Sequence, residues 1–586
     1  MKYYTWSGLT LDISFRRQEL DGWRFCIVRN YSHRRHDHKR DWRLDRIPSR
    51  ISMKLKASAR RQLAVAALLG FAFAAHPVFA ASGSASSQWS FGLITDTQGA
   101  SDPRGVSVRL MQPVVDRFVN NHDIDLLISI GDLTEDGTAG EFDIWKQTAQ
   151  PLFDAGISFY ATRGNHDVKS ESTIAGIDPL LGPSGYRGTE VWSAAFPGLS
   201  APVVVTGPGA SYSFTYNNTR FVSLDMYGAL PSQLIGWVTS QQKGSNDHMF
   251  VYAHEPFFGR AREGVLGDDP LRMQILGQLG ANGADAYFAG HDHQYSRSAA
   301  VAGQDVLLHH FVSGSNSEKY YRFENEFNDG EEVGAALISN EVGYSIVDID
   351  GPFVTFTHYS ATPPASPDHF ETWVPEWRVA DRTTFSTNGD SYGIGVGESY
   401  AGLKSAIAAG NGFAGTEAEI LAGVNLEGRS VTTEPDSGPG ITQQLGNIVN
   451  FGWMATKDGL VSDILYLGGM DDQLDNVADP FVLTMSYDES LAVDESMLRL
   501  MYALNGSWVL AADANTEGTP TFVAGEWLAG YGIGTYGVDT AANEVWAVVD
   551  RNGQFAVSAV PEPSALALML GGLFVLVPLA ARRRRA

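Results

Sequence analysis

The stretch Arg163-Gly164-Asn165-His166-Asp167 places an amide, an imidazole and a carboxylate side by side. It follows the apolar run from residue 157 to 161, which predicts a short buried strand. Open α/β sheets place their ligands where strands end and loops begin. There, Asn165 can offer a neutral oxygen to a metal ion, His166 can exchange a proton near neutral pH, and Asp167 can orient the His166 ring. Taken alone, the stretch is also typical of a capping or turn motif.

Further apolar runs end in side chains of the same kinds. The groups that follow them are Asp96 with Gln98, Asp132, His254, and His291 with His293. Amphipathic stretches alternate with these runs, for example residues 106–119 and 142–153, so the sequence predicts an α/β layered sheet. A sheet that runs its strands to one edge gathers the residues behind them, and we therefore expect a single cleft.

The chemistry of this set indicates a metal site. Three His, two Asp and one Asn supply nitrogen and oxygen ligands without a thiolate, which suits Zn, Mn or Fe. The set is too large for one tetrahedral site, and a central carboxylate can bridge two metals about 3.5–4 Å apart. Glycine precedes Asp132, Asn165 and His291, which permits the tight backbone that such loops need.

Five blocks of the chain, in order, resemble the calcineurin-like metallophosphoesterase superfamily. They are Asp96-Thr97-Gln98, Gly131-Asp132, Gly164-Asn165-His166-Asp167, His254, and Gly290-His291-Asp292-His293. The resemblance implies a two-sheet β-sandwich flanked by helices, two metal ions (Mn, Fe or Zn), and hydrolysis of a small phosphate ester by a metal-activated water. By position, it implies that Asp96 and His293 hold the first metal and that Asp132 bridges. It further implies that Asn165, His254 and His291 hold the second, and that His166 protonates the leaving group or stabilises charge on the phosphate.

Gln98 departs from the family pattern, in which a histidine follows the first aspartate by two residues. An amide oxygen binds a metal less tightly than imidazole, although the Asp-x-Gln variant occurs in some members of the superfamily. Because Gln98 is the weaker ligand, the alternative to a phosphoesterase is a catalytically weakened binding protein of the cell surface or matrix on the same scaffold. The block from Gly131 to Gly137 resembles the bacterial cyclic-nucleotide phosphodiesterase branch.

Two further groups of residues have competing interpretations. His309, His310 and His358 are either additional active-site groups or structural histidines, and we favour the structural role. Asp471, Asp472 and Asp475 indicate either a calcium site or an acidic surface turn, and we favour the turn.

The two ends of the chain predict targeting. Residues 1–52 are rich in Arg and His and predict a non-native or disordered basic extension, with a nucleic-acid-binding arm as the alternative. Residues 53–80 have the basic, apolar and small-residue regions of a signal peptide, with cleavage after Ala80. Pro561-Glu562-Pro563, the apolar run 564–581 and the arginines 582–585 resemble a PEP-CTERM sorting signal, here residues 559–586.

That second resemblance implies an exosortase-type processing enzyme, transient anchoring in the inner membrane, and a final location at the cell surface, outer membrane or extracellular matrix of a Gram-negative bacterium. A permanent single-span anchor is the alternative. Without the two ends the formal net charge falls from −25 to about −38, because they hold 20 of the 42 Lys and Arg residues but only seven of the 67 Asp and Glu residues. Such a charge repels polyanions, so no nucleic acid polymer is expected as a partner. The single cysteine, Cys26, lies in the extension, so the mature protein would have no disulfide.

Between its ends the chain predicts two domains. Residues 88–360 carry all five blocks and predict the metallophosphoesterase catalytic domain. Residues 361–392 are rich in Pro, Ser and Thr and predict a linker. Residues 393–558 alternate short apolar runs with turn signals, which predicts a β-rich, sandwich-like domain of unknown role.

Overall fold

The computed structural model describes residues 5–6, 9–10 and 88–559. Within the last range it leaves out 100–101, 174–186, 198–202, 229–230, 263–270, 322–329, 365–371, 395–397, 406, 408–414, 423–440, 444–446, 458, 471–479 and 493. The chain divides into two compact units, Met1–Ala81 and Ser82–Ala586. In the first unit, β1 (Thr5–Trp6) pairs antiparallel with β2 (Leu9–Thr10). The rest of the predicted extension and signal peptide, and residues 560–586 of the predicted sorting signal, lie outside the described residues. No helix among the described residues is long and apolar enough to cross a membrane.

The first sheet of the second unit has six strands in the order β18-β17-β16-β3-β6-β7. The strands are β3 (Trp89–Ile94), β6 (Leu126–Ile130), β7 (Ser158–Thr162), β16 (Val342–Asp350), β17 (Phe353–Ala361) and β18 (Arg378–Ser386). Of these, β3, β6 and β7 are parallel neighbours. They are nearly continuous apolar runs because both faces of this part of the sheet are covered. A small antiparallel pair, β4 (Gln98–Gly99) and β5 (Gly105–Val106), follows β3.

The second sheet has fifteen strands and extends from the segment of the five blocks into the β-rich segment. Its strands up to residue 339 are β8 (Val203–Thr206), β9 (Tyr212–Tyr216), β10 (Thr219–Leu224), β11 (His248–Ala253), β12 (Ala286–Ala289), β13 (Gln294–Ala302), β14 (Asp305–Gly314) and β15 (Glu332–Ser339). Its later strands are β19 (Ser391–Ile394), β22 (Ile441–Gln443), β23 (Asn447–Met454), β24 (Ile464–Gly468), β26 (Leu498–Leu504), β27 (Ser507–Leu510) and β31 (Gly553–Ala559). Here β10, β11 and β12 are parallel neighbours.

Helices flank the two sheets on their outer faces. They are α1 (Val108–Asn120), α2 (Ala139–Asp154), α3 (Glu190–Ala195), α4 (Pro231–Thr239) and α5 (Leu271–Ala281). The apolar face of α1 packs with α2 and α3 against the first sheet, and α4 and α5 pack against the second. Helix α2 begins with a capping box, in which Thr138 and Glu141 each accept a backbone N–H of the other.

An aromatic core joins the facing sides of the two sheets. The ring of Phe91 lies 5.6 Å from that of Phe250, and the rings of Phe311 and Phe356 stack at 4.1 Å. These side chains are fully buried. The predicted fold class is confirmed, because a two-sheet sandwich flanked by helices precedes a β-rich region.

The β-rich region forms its own sandwich. The third sheet consists of β20 (Tyr400–Lys404), β21 (Glu417–Ala422), β25 (Phe481–Ser486), β28 (Thr521–Ala524), β29 (Thr535–Asp539) and β30 (Glu544–Val549). It shares an apolar core with the later strands of the second sheet. Single 3-10 turns occur at Glu489–Leu491, Glu495–Met497 and Ala511–Ala514.

Across the predicted linker and domain boundaries, strands pair with one another, so the structure is more continuous there than the sequence predicts. Strand β18 lies inside residues 361–392 and pairs with β17 along its whole length, because its apolar Ala380 and Phe385 reach the sandwich core. Strands β19 and β22 of the β-rich region pair with β14 and β15. The division into 88–360, 361–392 and 393–558 stays a prediction.

Candidate metal centre

Parallel neighbouring strands bring the predicted ligands to one edge of the sandwich. Asp96, Asp132 and Asn165 follow β3, β6 and β7, while His254 and His291 follow β11 and β12. Backbone bonds tie adjacent loops together: the Asp96 N–H donates to Gly131 O at 3.1 Å, and the Gly290 N–H donates to His254 O at 2.9 Å. The five loops therefore converge because their strands share one direction within each sheet.

The backbone of this edge is strained. Among the described residues other than glycine, eight have positive φ, and four of them are asparagines. The other four are Asp96 (51°), Asp132 (50°), His291 (71°) and His293 (51°). Left-handed backbone is unfavourable for such side chains and is retained mainly where function requires it. All four are predicted metal ligands.

The carboxylate of Asp132 lies at the middle of the group. Its Oδ2 is 3.2 Å from His254 Nε2 and 3.1 Å from Gln98 Nε2. Its Oδ1 accepts the backbone N–H of His166 at 2.8 Å. Gln98 Nε2 is also 3.1 Å from His293 Nε2. One carboxylate therefore contacts members of both predicted ligand sets.

Hydrogen bonds on the outer side of the histidines orient their inner nitrogens. His254 Nδ1 donates to Ile130 O, and His293 Nδ1 donates to Lys319 O, each at 2.9 Å. His293 Nε2 then lies 3.3 Å from Asp96 Oδ1. Such outer bonds fix the tautomer that presents a lone pair to a metal.

A second group forms around the ring of His291. His291 Nδ1 lies 3.1 Å from Asn165 Oδ1 and 3.3 Å from His254 Nε2. All seven predicted ligands therefore come together: Asp96, Gln98, Asp132, Asn165, His254, His291 and His293.

Two buried oxygens test whether these residues fit a metal ion. Within the described part of the chain, Asp96 Oδ1 and Gln98 Oε1 are buried and have no hydrogen-bond donor. Buried polar atoms normally have a partner. One ligand atom each from Asp96, Asp132 and His254 also lies within 4.8 Å of the others. The donor set and the two oxygens without a donor fit a divalent cation of the Zn, Mn or Fe type.

The pKa values of the buried groups depart strongly from their usual range. Burial raises the pKa of Asp96 to about 7. Burial also acts to raise the pKa of Asp132, but the charges and hydrogen bonds of His254 and His166 together lower it. For His254, burial acts downward, yet the carboxylates of Asp132 and Asp96 raise its pKa to about 10. A bound cation favours ionised carboxylates and neutral imidazoles, and so relieves this conflict.

His166 lies beside the centre with its ring held from one side. Its Nδ1 donates to Glu135 O at 2.8 Å and lies 3.2 Å from the Glu135 carboxylate. Burial acts to lower the pKa of His166, but the bond to Glu135 and the charge of Asp132 raise it. The raised pKa favours the protonated ring, whose orientation depends on Glu135 and on Lys169, with Nζ 2.7 Å from His166 Nδ1.

The predicted role of Asp167 as the partner of the His166 ring is wrong. The Asp167 carboxylate is fully buried and accepts the backbone N–H groups of Leu133, Thr134 and Gly164 at 3.2, 3.0 and 2.9 Å. Burial raises its pKa to about 6. Asp167 therefore joins the loops after β6 and β7. The carboxylate that contacts the His166 ring is that of Glu135.

Sequence reasoning did not single out the basic side chains that border the centre. Lys169 and Lys319 lie 3.3 and 3.2 Å from the Glu135 carboxylate. The Arg262 guanidinium stacks 4.5 Å above the ring of Tyr321 and reaches within 3.0 Å of His291 Nε2. Glu135 stood inside the singled-out block from Gly131 to Gly137, whereas no local pattern marked the other three.

The remaining candidate residues do not reach the centre or are not described. His309 and His310 lie within β14, and His358 lies within β17; all three are buried. Residues 471–479, with the three aspartates considered for calcium, lie outside the described residues.

Comparison with known families identifies the segment that carries this centre. Residues 90–295 match the family model described as Calcineurin-like phosphoesterase. No curated protein matches the sequence. The matched segment holds every predicted ligand, and it has the sequence pattern of a calcineurin-like phosphoesterase domain.

Several solved structures are similar to part of the chain. Purple acid phosphatase PPD1 from yellow lupin (Lupinus luteus) seeds is 16% identical, with a TM-score of 0.38, over 51% of this chain and 54% of that one. PhoD is 12% identical, with a TM-score of 0.34, over 51% and 70%. Vps29 of Chaetomium thermophilum is 11% identical, with a TM-score of 0.25, over 51% and 97%. The chain thus spans about half the length of the lupin phosphatase, and at such low scores nothing about activity follows from these likenesses.

Proposed function

We propose that the chain hydrolyses small phosphomono- or diesters with two metal ions held at the strand-end edge. The observation that carries this proposal is the position of the Asp132 carboxylate, which contacts Gln98 on one side and His254 on the other. A first ion would be held by Asp96, Gln98, Asp132 and His293. A second would be held by Asp132, Asn165, His254 and His291.

When bound, two such ions supply Lewis acidity to the phosphoryl group and to the attacking water. The chain's own residues do the rest. The fully buried carboxylates of Asp132 and Asp96 would hold positive charge where the phosphoryl oxygens gain negative charge. His166, with Nδ1 bound by Glu135, keeps Nε2 available to protonate the leaving oxygen. Arg262, Lys169 and Lys319 give the rim a positive charge that attracts an anionic ester in an otherwise acidic protein.

Gln98 is compatible with either an enzyme or a weakened scaffold. Its Nε2 donates to Asp132, while its Oε1 has no partner among the described residues. Rotation of the amide by half a turn would exchange the two atoms and direct the oxygen toward a cation. A neutral amide holds an ion less tightly than imidazole, so the first ion would be the more easily lost.

The experiment is a metal-dependence assay on the purified full chain. We expect hydrolysis of p-nitrophenyl phosphate or bis(p-nitrophenyl) phosphate, its loss on treatment with EDTA, and its recovery with Mn²⁺ or Zn²⁺. Metal bound without hydrolysis of either ester would favour the binding-protein alternative. Hydrolysis that survives complete metal removal would contradict both.

We also propose that the mature protein is exported. The support is sequence alone: a signal-like segment that ends at Ala80 and a tail that resembles a PEP-CTERM signal processed by an exosortase-type enzyme. The mature N-terminus should lie at Ala81 and the arginines 582–585 should be absent. Terminal sequencing and intact mass of the extracellular protein test this, and an exported chain with both ends retained would refute it.

A further inference from the structure

A cavity of about 500 Å³ lies between the metallophosphoesterase sandwich and the β-rich region, among residues that play no part in the metal centre. One wall is the hairpin of β17 and β18, with Phe353, Thr355 and Arg382. The opposite wall is the pair of β24 and β31, with Tyr466 and Gln554 as cross-strand neighbours. Binding sites of this size often form where two domains meet.

Two opposite charges at the floor of the cavity neutralise each other. Arg297 of β13 and Asp381 of β18 are paired through two bonds, from Nε to Oδ2 at 2.6 Å and from Nη2 to Oδ1 at 3.0 Å. The Tyr295 hydroxyl also donates to Asp381 at 2.6 Å. Because the two charges satisfy each other, the floor offers no net charge to a ligand.

The walls are balanced in charge as well. Arg382 and Asp350 both line the cavity and carry opposite charges. With the Arg297–Asp381 pair, the lining has two positive and two negative groups. An ion of either sign therefore gains little there, and a neutral ligand is favoured.

The lining keeps planar polar groups free. The Gln554 amide makes no hydrogen bond within the described part of the chain, and Asn552 uses only its Oδ1, which accepts the Met470 N–H at 2.8 Å. The hydroxyls of Thr355 and Thr384 lie 2.8 Å apart and can each also bond a ligand. Amides with a free donor and acceptor match the paired hydroxyls of a polyol.

An aromatic face completes the cavity. The rings of Phe353 and Tyr466 lie 5.2 Å apart at 63°, and both are half-buried. A pyranose ring has an apolar face that can pack on such rings while its hydroxyls bond to the free amides.

We propose that this cavity binds a neutral saccharide, with Tyr466 packing against the sugar ring and Gln554 and Asn552 bonding its hydroxyls. The site does not depend on the metal centre. It assigns a binding role to the β-rich region, because six of the seventeen residues that line the cavity belong to that region.

The test is calorimetric titration of the full chain with glucose, galactose, mannose, N-acetylglucosamine, maltose, cellobiose and lactose, and with glucuronate as a charged analogue. We expect at least one neutral sugar to bind with a Kd of about 1 mM or tighter. Glucuronate should bind more weakly than glucose. No heat of binding from any neutral sugar, or a preference for glucuronate, would overturn the proposal.

Three variants and a control locate the binding. Gln554→Ala should weaken the best sugar at least about tenfold without loss of thermal stability, because the side chain makes no bond within the described structure. Tyr466→Ala should weaken it further, whereas Tyr466→Phe should retain most of the affinity. Phe522→Ala, which removes an exposed ring of β28 outside the cavity, should change nothing. All four should keep the wild-type rate on p-nitrophenyl phosphate, and sugar binding unchanged in Gln554→Ala and Tyr466→Ala would place the site elsewhere.

Discussion

Two sets of buried histidines occupy different regions of the same sandwich. The centre histidines are His254, His291 and His293, and the strand histidines are His309, His310 and His358. Burial does not distinguish them, since His254 and His310 are both 0% exposed. What differs is their place on the strand: the centre histidines follow the ends of β11 and β12, and the strand histidines lie within β14 and β17.

The surroundings of the rings show what this difference means. The strand histidines stack on aromatic rings: His309 on Phe385 at 4.3 Å and His358 on Tyr295 at 4.0 Å. The centre histidines direct nitrogens at atoms of other predicted ligands, as His293 Nε2 does toward Asp96. A histidine at a strand end can aim its lone pair at a shared point, whereas one within a strand is fixed by its packing.

The largest effect that separates the two regions should come from His166 at the centre edge. His166→Ala should lower kcat by about 10²–10⁴-fold, the usual contribution of a positioned acid. The loss should be greater for alkyl than for nitrophenyl phosphates, because a poor leaving group needs the proton more. Equal losses for both esters would show that His166 is not the acid.

Substitution of Glu135 should have the next largest effect on kcat, because Glu135 orients the His166 ring. Glu135→Gln should lower kcat by about 10–100-fold, as expected of an outer partner of a functional group, with metal content unchanged. Asp136→Asn is the matched control, because Asp136 is an adjacent carboxylate that also pairs with Lys169. If Asp136→Asn lowers kcat as much as Glu135→Gln does, the loss of rate reflects the charge of the loop and not the orientation of His166.

Gln98 should have a smaller effect, and one of opposite sign. Gln98→His supplies a stronger ligand, so the metal concentration for half activity should fall by about tenfold, equivalent to about 1.4 kcal/mol. Metal titration of the dialysed protein measures this. An unchanged or raised half-activating concentration would remove Gln98 from the first metal site.

The smallest effect on activity, within about twofold, is expected at the strand histidines. Burial lowers the pKa of His309, His310 and His358 to about 3 each. Their unfolded forms titrate near the ordinary value of 6.5, so each stabilises the native state fully above that pH. This stability is lost as the pH falls from about 6.5 toward 3.

His309→Phe keeps a ring against Phe385 and removes one such group, so stability should fall less steeply with acid. Chemical denaturation at a series of pH values checks this, with the rate at pH 7 as the control. A large loss of kcat in a variant that is still folded would return His309 to the active-site candidates.

The sequence predicted where the strand-end side chains gather, because each follows a local apolar run and parallel strands leave little freedom in where such residues meet. It predicted Asp167 in place of Glu135 because adjacency along the chain does not reveal which carboxylate a loop turns toward a ring. Strand β18 was hidden by its polar and charged residues. The pairing of β19 with β14 was hidden as well, because it joins residues nearly 90 positions apart in the chain.

The central claim is that Asp132 joins two metal ions, and metal content measured together with activity tests it most directly. After reconstitution with Mn²⁺ and removal of free metal, the wild-type chain should retain up to two ions, and its rate should rise with occupancy. Asp132→Asn should retain fewer ions and lose hydrolysis by about 10²-fold or more, while His309→Phe should match the wild type in both measurements. An Asp132→Asn variant with wild-type metal content and wild-type rate would contradict the account.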